Sequence, residues 1–302
     1  MLVIVLVIIV IIAIVSMALL LPWKVTNVEE TRTAAVVEGT SEIDLSLDQS
    51  VGKVAFSFSS GVQDQVTMTV KGQIRQNLLA SGDPLQITWT YDFVGQRLIL
   101  NADVDTDAYS TTYGHDELVT TVTIPSQLST SINVTGATGS VELVAGDGVV
   151  LRAGHLSETA GSVHAQLTNC SLEGAFLIET TAGSSELDWT EVHVLEGVEV
   201  SISTTTGGVE MNVLQTTALG GNVSVSASAN TGGVKLHLSI EGQTSARVAS
   251  SANLGSVSVE GSVGFTGSNE DLRSNNYPSQ EKMDFAIDAN LGGVELNLQY
   301  LA

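Results

Sequence analysis

A glycine-centred phrase recurs through the second half of this chain at a nearly fixed interval. It reads Thr-Gly-Gly-Val-Glu at 206–210 and Thr-Gly-Gly-Val-Lys at 231–235. Successive copies are separated by 22, 22, 24, 25, 23 and 37 residues. A period of about 20–30 residues is typical of stacked supersecondary units, and not of a fold built around one active site. The glycines that lead the seven copies are Gly139, Gly161, Gly183, Gly207, Gly232, Gly255 and Gly292.

Alignment on these glycines gives columns of alternating character. Apolar residues stand seven before, two after and four after the glycine, which is the pattern of strands with one buried face. Each repeat is therefore predicted to supply two short strands around a glycine corner, and stacked repeats would share one core. The position two residues after the glycine holds Val141, Val163, Ser185, Val209, Val234, Val257 and Val294.

Two polar columns accompany the apolar ones. A column of Thr and Asn, two residues before the glycine, predicts a hydrogen-bonded ladder along the stack. A second column points outward and mixes acids with basic residues, which is typical of a solvated face. The ladder column is Thr159, Thr181, Thr205, Asn230, Asn253 and Asn290. The outward column is Glu142, His164, Glu186, Glu210, Lys235, Ser258 and Glu295.

Composition limits the partners and the compartment. The 302 residues carry a formal net charge of −22, with only 11 Lys and Arg. Such a surface repels phosphates, so nucleic acid and anionic headgroups are excluded as partners. Cys170 is the single cysteine, which excludes an internal disulfide framework. It is predicted to be a buried structural thiol.

The N-terminus predicts a hydrophobic helix. Residues 2–21 are apolar except for Ser16 and carry no charge, a length that just spans a bilayer core. Pro22 and Trp23 would end this helix at an interface. The stretch resembles the N-terminal helix of mature archaeal type IV pilin-like subunits, which pack in a filament core. Membrane lipid and copies of the chain itself both remain possible partners for residues 2–21.

The predicted fold class is mainly β, with an N-terminal hydrophobic α-helix, a β-strand domain and a β-solenoid of 22–25-residue coils. Four segments are expected. One of them, an antiparallel β domain, is predicted from strand-like alternation and from a hairpin turn at Val94-Gly95-Gln96. The segments are a transmembrane or filament-core helix at 1–22, a stalk at 23–34, an antiparallel β domain at 35–130, and solenoid repeats at 131–302 with an inserted loop near 262–281.

The repeats, together with the strand before them, resemble a known family. The repeated T-x-x-G-x-V-x-L pattern follows a strand that ends at a proline, Thr121-Val122-Thr123-Ile124-Pro125. This combination, over residues 35–302, is similar to the DUF4097 adhesin-like family and to related toast-rack (LiaF/LiaG-like) proteins. The resemblance implies a membrane-anchored solenoid or prism of short strands in the cell envelope, without a catalytic centre. It implies no site residues.

Motifs for chemistry are sparse. The five histidines lack i, i+4 spacing and no cysteine pair accompanies them, so neither zinc nor any cofactor is predicted. Asp103, Asp105 and Asp107 have the spacing of the first calcium ligands of an EF-hand loop. That loop's glycine and its final glutamate are missing, so an acidic loop between strands is the competing interpretation. No catalytic residue is predicted.

Two surface features are candidates for contact or modification. The inserted loop contains Asp271, Arg273 and Tyr277, which are candidates for partner contact because insertions in repeat proteins project on one face. A tolerated surface insertion is the alternative. The glycan acceptor pattern Asn-x-Ser/Thr occurs three times, no more often than expected by chance. The candidate glycosylation sites are Asn133, Asn169 and Asn222.

The sequence thus predicts a non-enzymatic structural or adhesin-like protein at the cell envelope or extracellular surface, anchored by its N-terminal helix. Its partner would be a surface glycan or protein of unknown identity. One alternative is a pilin-like subunit of a homo-oligomeric filament whose helices bundle through residues 2–21. Another is an envelope-stress sensor or regulator.

Overall fold

The computed structural model describes residues 23–60, 64–77, 83–106, 110–111, 118–195 and 197–301. These residues form one continuous β assembly whose strands alternate between buried and outward positions. The strands are β1 (Trp23–Ala35), β2 (Glu42–Ser59), β3 (Gln65–Asn77), β4 (Leu85–Val94), β5 (Arg97–Thr106), β6 (Ser110–Thr111), β7 (Val119–Pro125), β8 (Ser129–Ala145), β9 (Val150–Thr168), β10 (Ser171–Leu172), β11 (Phe176–Thr190), β12 (His193–Val194), β13 (Val198–Thr206), β14 (Val209–Gln215), β15 (Val223–Thr231), β16 (Val234–Glu241), β17 (Thr244–Leu254), β18 (Val257–Val263), β19 (Phe265–Ser268), β20 (Asp271–Ser274), β21 (Glu281–Leu291) and β22 (Val294–Leu301).

The predicted fold class is wrong in its helical part, because the described residues are all β. No helix occurs in the described ranges, and hence none that could cross a bilayer. The helix predicted for residues 1–22, and the pilin likeness that rests on it, fall outside the described residues. The stretch expected to be a stalk is strand β1, which pairs antiparallel with β3 from Trp23↔Asn77 to Ala35↔Gln65. Period-two alternation, not a linker composition, decides its structure.

The predicted solenoid is present as a stack of parallel coils. In each coil a first arm runs to the glycine corner and a second arm leaves it. Strands β8, β9 and β11 contain both arms and pair with one another in register. Further along, the arms are separate strands: β13 and β14 form the next coil, and β15 and β16 the one after it.

The coils do not stack in sequence order at the C-terminal end. Strands β21 and β22 pair with β15 and β16 on one side and with β17 and β18 on the other. The coil that comes last in the chain therefore lies between the two coils that precede it. The columns predicted from sequence are retained, but their order is 232, 292, 255 for the corner glycines.

The same interleaving occurs at the other end. Strand β2 lies between β8 on one side and β5 and β7 on the other, and all of these pairings are parallel. The ladder between β2 and β8 runs from Glu42↔Ser129 to Ser57↔Val144. The stack thus continues across the boundary expected near residue 130, and residues 42–59 form a coil of it.

Antiparallel strands cover most of the two ends. At the N-terminal end, β4 pairs with β5 as the predicted hairpin, and β3 pairs with β7. At the other end, the insertion near 262–281 forms the β19–β20 hairpin, and β20 pairs with β17. A solenoid that ended in an open parallel strand would offer unpaired backbone groups to another chain. The insertion is therefore an end cap, and its own Leu272 is buried.

The corner requires glycine for two reasons. Gly161 has a φ of 149°, in the region that favours glycine. A Cβ atom at this position would lie 1.7 Å from the carbonyl oxygen of Gly139 in the coil below. The backbones of successive coils can therefore approach one another only if every corner lacks a side chain.

The core lies between the arms and follows the predicted columns. Trp189 and Phe176 are among its largest fully buried side chains. The Phe176 ring occupies the space over Gly154, where a Cβ would lie 2.3 Å from it. The Asn part of the predicted polar ladder is confirmed, since Asn253 donates to Asn290 at 2.9 Å and Asn290 donates to Asn230 at 2.8 Å.

Candidate functional site

The outward face of the second arms carries a shallow polar groove of about 360 Å³, here called the amide groove. It crosses β9, β11, β14, β16 and β22. Its polar lining consists of amide and hydroxyl side chains, one carboxylate and one imidazole. These residues are Gln166, Asp188, Thr190, Asn212, His237, Ser239, Asn297 and Gln299.

Strand register builds this groove. Asp188 stands opposite both Gln166 and Asn212, and His237 stands opposite both Asn212 and Asn297. Because adjacent strands lie about 4.8 Å apart, side chains of this column are close neighbours along the stack. Most of them keep their hydrogen-bonding capacity for a ligand. Asn212 donates to Asp188 at 2.9 Å, while the side chains of Gln166, His237 and Asn297 make no hydrogen bond to another described residue.

The outward column predicted from sequence borders this groove. Two lysines are engaged beside it: Lys53, which lies outside the column, pairs with Glu142, and Lys235, which lies within it, pairs with Glu295 at 3.5 Å. Between them, Glu186 stands opposite His164 on one side and opposite Glu210 on the other. The middle of the column is therefore acidic and lacks a basic side chain other than the imidazole.

Three side chains converge where the column meets the groove. His164 Nε2 lies 3.0 Å from Asp188 Oδ2. One ligand atom each from His164, Glu186 and Asp188 lie within 4.8 Å of one another. The side chains of His164 and Asp188 are about one-third exposed, at 35% and 32%. The three thus form a half-open cluster of an imidazole and two carboxylates.

A second histidine is placed differently on the first-arm face. His155 Nδ1 lies 3.1 Å from Asn133 Oδ1, and its Nε2 lies 3.1 Å from Glu179 Oε2. This histidine has a single carboxylate partner, and both of its ring nitrogens are already occupied. His155 therefore differs from His164, which has two carboxylates within reach.

The loop residues that were predicted to contact a partner instead contact one another and other residues of the same chain. Asp271 accepts hydrogen bonds from Arg247 and Arg273 at 2.9 Å each. The hydrogen bond from Arg247, and to a smaller extent the one from Arg273, lowers the pKa of Asp271. Tyr277 donates to Asp284 at 2.9 Å and lies beneath the Arg273 guanidinium, 5.7 Å from its ring centre. The network fixes the end cap, and contact with a partner stays a prediction.

The calcium candidates lie partly outside the described residues. Asp103 and Asp105 are outward on β5, and Asp107 is not described. Partial burial, followed by the neighbouring charges of Asp105 and Asp48, raises the pKa of Asp103. Calcium binding by this group remains a prediction.

The three glycosylation candidates are reachable to different degrees. Asn133 and Asn169 are exposed, and Asn222 is half-buried. Asn222 also accepts a hydrogen bond from the Lys282 amide at 3.2 Å. Glycosylation at all three remains a prediction.

Cys170 is buried, as the sequence predicted. Cys170 is 2% exposed, and burial raises its pKa to about 12. A thiol that remains protonated and inaccessible is a poor nucleophile. The cysteine therefore acts as a small core residue.

Sequence reasoning missed the His164 cluster and the amide groove. The outward column already placed His164 beside Glu186. It did not include Asp188, two residues further along the same strand and on the same face. A second outward column lies five residues after each corner glycine, two residues beyond the first outward position. Reading it would have revealed both features, because residues i and i+2 of a strand share a face.

Comparison with known proteins gives only distant similarity. No family model matches the chain, and no curated protein matches it. A solved structure named a putative cell adhesion protein, from Clostridium sporogenes, is 12% identical, covers 90% of this chain and 100% of its own, and has a TM-score of 0.43. A putative adhesin from Bacteroides fragilis is 14% identical, with coverages of 90% and 98% and a TM-score of 0.34. A putative lipid binding protein from Parabacteroides distasonis is 10% identical, with coverages of 91% and 97% and a TM-score of 0.28.

Proposed function

We propose that this chain is a non-enzymatic, adhesin-like protein of the cell surface that binds a hydroxyl-rich ligand, a surface glycan, in the amide groove. The proposal retains the likeness to the DUF4097 adhesin-like family drawn from the repeats. It also assigns residues 2–21 as an N-terminal anchor, because they carry no charge and are apolar except for Ser16. The groove supplies the binding surface and the stack supplies the rigid support.

One observation carries the proposal: amide side chains stand in register on a rigid parallel sheet, and two of them, Gln166 and Asn297, make no side-chain hydrogen bond to another described residue. Each amide offers two donors and an acceptor with two lone pairs. Glycan hydroxyls likewise both donate and accept, so Gln166, Asn212 and Asn297 are complementary to them. On a chain with a net charge of −22, a groove whose titratable lining is limited to Asp188 and His237 favours an uncharged polar ligand.

The solenoid also lowers the entropic cost of binding. Each groove residue lies on a strand held by parallel neighbours on both sides, except at the ends of the stack. A preorganised row loses less conformational freedom on binding than a loop would. Sites on rigid strands are accordingly more regular than sites on loops.

Among the described residues, the site argues against catalysis. The described cysteine is buried, and the His164 imidazole faces carboxylates instead of a nucleophilic hydroxyl or thiol. Acyl transfer needs a nucleophile within hydrogen-bond reach of its base. The amide and hydroxyl side chains of the groove are instead suited to binding a ligand.

A glycan array probed with the purified full chain tests the proposal. We expect binding to a subset of neutral glycans, and a loss of at least about ten-fold for the triple variant Gln166→Ala, Asn212→Ala and Asn297→Ala. The matched control is Asn101→Ala with Ser224→Ala, two exposed polar residues of the first-arm face. Failure to bind any glycan, or equal binding by the triple variant, would contradict the assignment.

A further inference from the structure

We propose that His164, Glu186 and Asp188 form a binding site for a divalent transition metal of the zinc type. The site lies on β9 and β11, on the outward face of the second arms. It shares Asp188 with the edge of the amide groove, but it does not depend on the proposed glycan binding, because metal binding is measured without a glycan.

The geometry suits a single ion. Glu186 is directly opposite His164, and Asp188 follows on the same face of the same strand. Their ligand atoms lie within 4.8 Å of one another. Two ligands that are each about 2.0–2.2 Å from one zinc ion are at most about 4.4 Å apart. Small rotations of three half-exposed side chains are therefore enough to complete the protein part of the coordination shell.

The charges around the cluster favour a cation from outside the chain. Glu186 forms no ion pair or hydrogen bond with another described residue, and it stands opposite Glu210. Like charges directly opposite one another on adjacent strands are destabilising. Lys235 of the column and the nearby Lys53 are already paired, with Glu295 and Glu142 respectively. A bound divalent ion would supply the positive charge that compensates Glu186.

A neighbouring side chain orients one ligand. Asn212 Nδ2 donates to Asp188 Oδ1 at 2.9 Å, while Asp188 Oδ2 lies 3.0 Å from His164. One oxygen of the carboxylate is thus held by the amide, and the other is directed into the cluster. Hydrogen bonds of this kind are what fix ligand orientation in metal sites.

The ligand types select the class of metal. Imidazole suits zinc, copper, iron and nickel, whereas calcium and magnesium take oxygen ligands. With three protein ligands on an open face, the fourth position would be held by water. The site therefore differs from the calcium candidate on β5 in both place and chemistry.

Isothermal titration of the metal-free full chain, prepared without a polyhistidine tag, tests the site with ZnCl₂. We expect saturable binding of one ion per chain. Each of the variants His164→Gln, Glu186→Gln and Asp188→Asn should weaken binding at least about ten-fold, since each removes one of three ligands. The matched controls are His155→Gln and Glu179→Gln, which disrupt the other histidine–carboxylate pair and should leave the affinity unchanged.

Several results would overturn the proposal. These are the absence of saturable binding, equal binding by Glu186→Gln and the unmodified chain, or an equal loss in His155→Gln. Saturable binding of CaCl₂ that is as tight as that of ZnCl₂ and is weakened by Glu186→Gln would overturn the assigned metal class. Circular dichroism of every variant, recorded beside the titrations, separates loss of a ligand from loss of the fold.

Discussion

Asn290 donates a hydrogen bond of 2.8 Å to Asn230, although 60 residues separate them in the chain. Asn253 is much nearer to Asn230 in sequence, yet it contacts Asn290 instead. The amide ladder therefore records that the last coil lies between its two predecessors. This relationship is a direct target for cross-linking.

We expect the double variant Asn230→Cys/Asn290→Cys to form a disulfide on mild oxidation. Adjacent strands place the two Cα atoms about 4.8 Å apart, within the range that a disulfide spans. Asn230→Cys/Asn253→Cys is the matched control, because two strand spacings put its cysteines about 9.6 Å apart. Non-reducing peptide mapping distinguishes them, and the buried Cys170 does not compete. A cross-link in the control pair alone would show that the coils stack in sequence order.

Gly161→Ala is expected to destabilise the stack severely. The new methyl group would meet the Gly139 carbonyl at 1.7 Å, on a backbone with a φ of 149°. We expect a loss of more than about 3 kcal/mol in the free energy of unfolding, measured in urea. Gly146→Ala is the control, since nothing lies within 4 Å of the position that its methyl group would take. It should change stability by less than about 0.5 kcal/mol, and similar losses for both would argue against the corner packing.

Glu158 should make the fold less stable as pH rises. It is 2% exposed, and burial raises its pKa from 4.5 to about 7, against the opposing effect of the Ala160 and Thr159 amides. A carboxyl whose pKa is higher in the folded state than in the unfolded state folds best when protonated. Its contribution is therefore complete below pH 4.5 and is lost as pH rises through about 7.

The variant Glu158→Gln isolates this effect. It should match the unmodified chain near pH ~5 and exceed it by up to about 3 kcal/mol at pH ~8. Urea unfolding at the two pH values measures the difference, and the histidines, present in both proteins, cancel. A stability difference that does not change with pH would contradict the buried, neutral carboxyl.

Gln215→Leu should cost about 2–4 kcal/mol in the free energy of unfolding. The Gln215 side-chain oxygen accepts hydrogen bonds from Trp189 Nε1 at 2.9 Å and from the Val192 amide at 3.1 Å. Leucine would leave both buried donors unpaired. Trp fluorescence during denaturation follows the change. Substitution of the exposed Gln86 by Leu is the control. An equal effect of the two substitutions on stability would contradict a stabilising role for the buried hydrogen bonds of Gln215.

The columns of the stack could be predicted from sequence, because a buried strand face enforces period two and the corner enforces glycine. The order of the coils could not. Gly255 and Gly292 begin repeats with the same columns, so either coil can sit on Gly232 without changing a buried position. The stacking order of these two coils depends on the β19–β20 cap and on the geometry of the connections between strands. Neither is visible in the pattern of buried and outward residues.

The candidate site was predictable only in part. His164 and Glu186 are neighbours in the predicted outward column, whose mixed charges alone indicate no more than a solvated face. Asp188 and the amide groove require a second column and the side-chain directions. The calcium candidate comes from local spacing alone, which does not report that Asp103 and Asp105 lie on a regular strand.

Interleaving has a mechanical consequence. A solenoid whose final coil is outermost can peel from its end, one backbone hydrogen bond after another. Here β22 is paired along both edges, with β16 and with β18. A force applied through β22 along its axis must therefore shear two ladders at once, so this strand is expected to resist extraction.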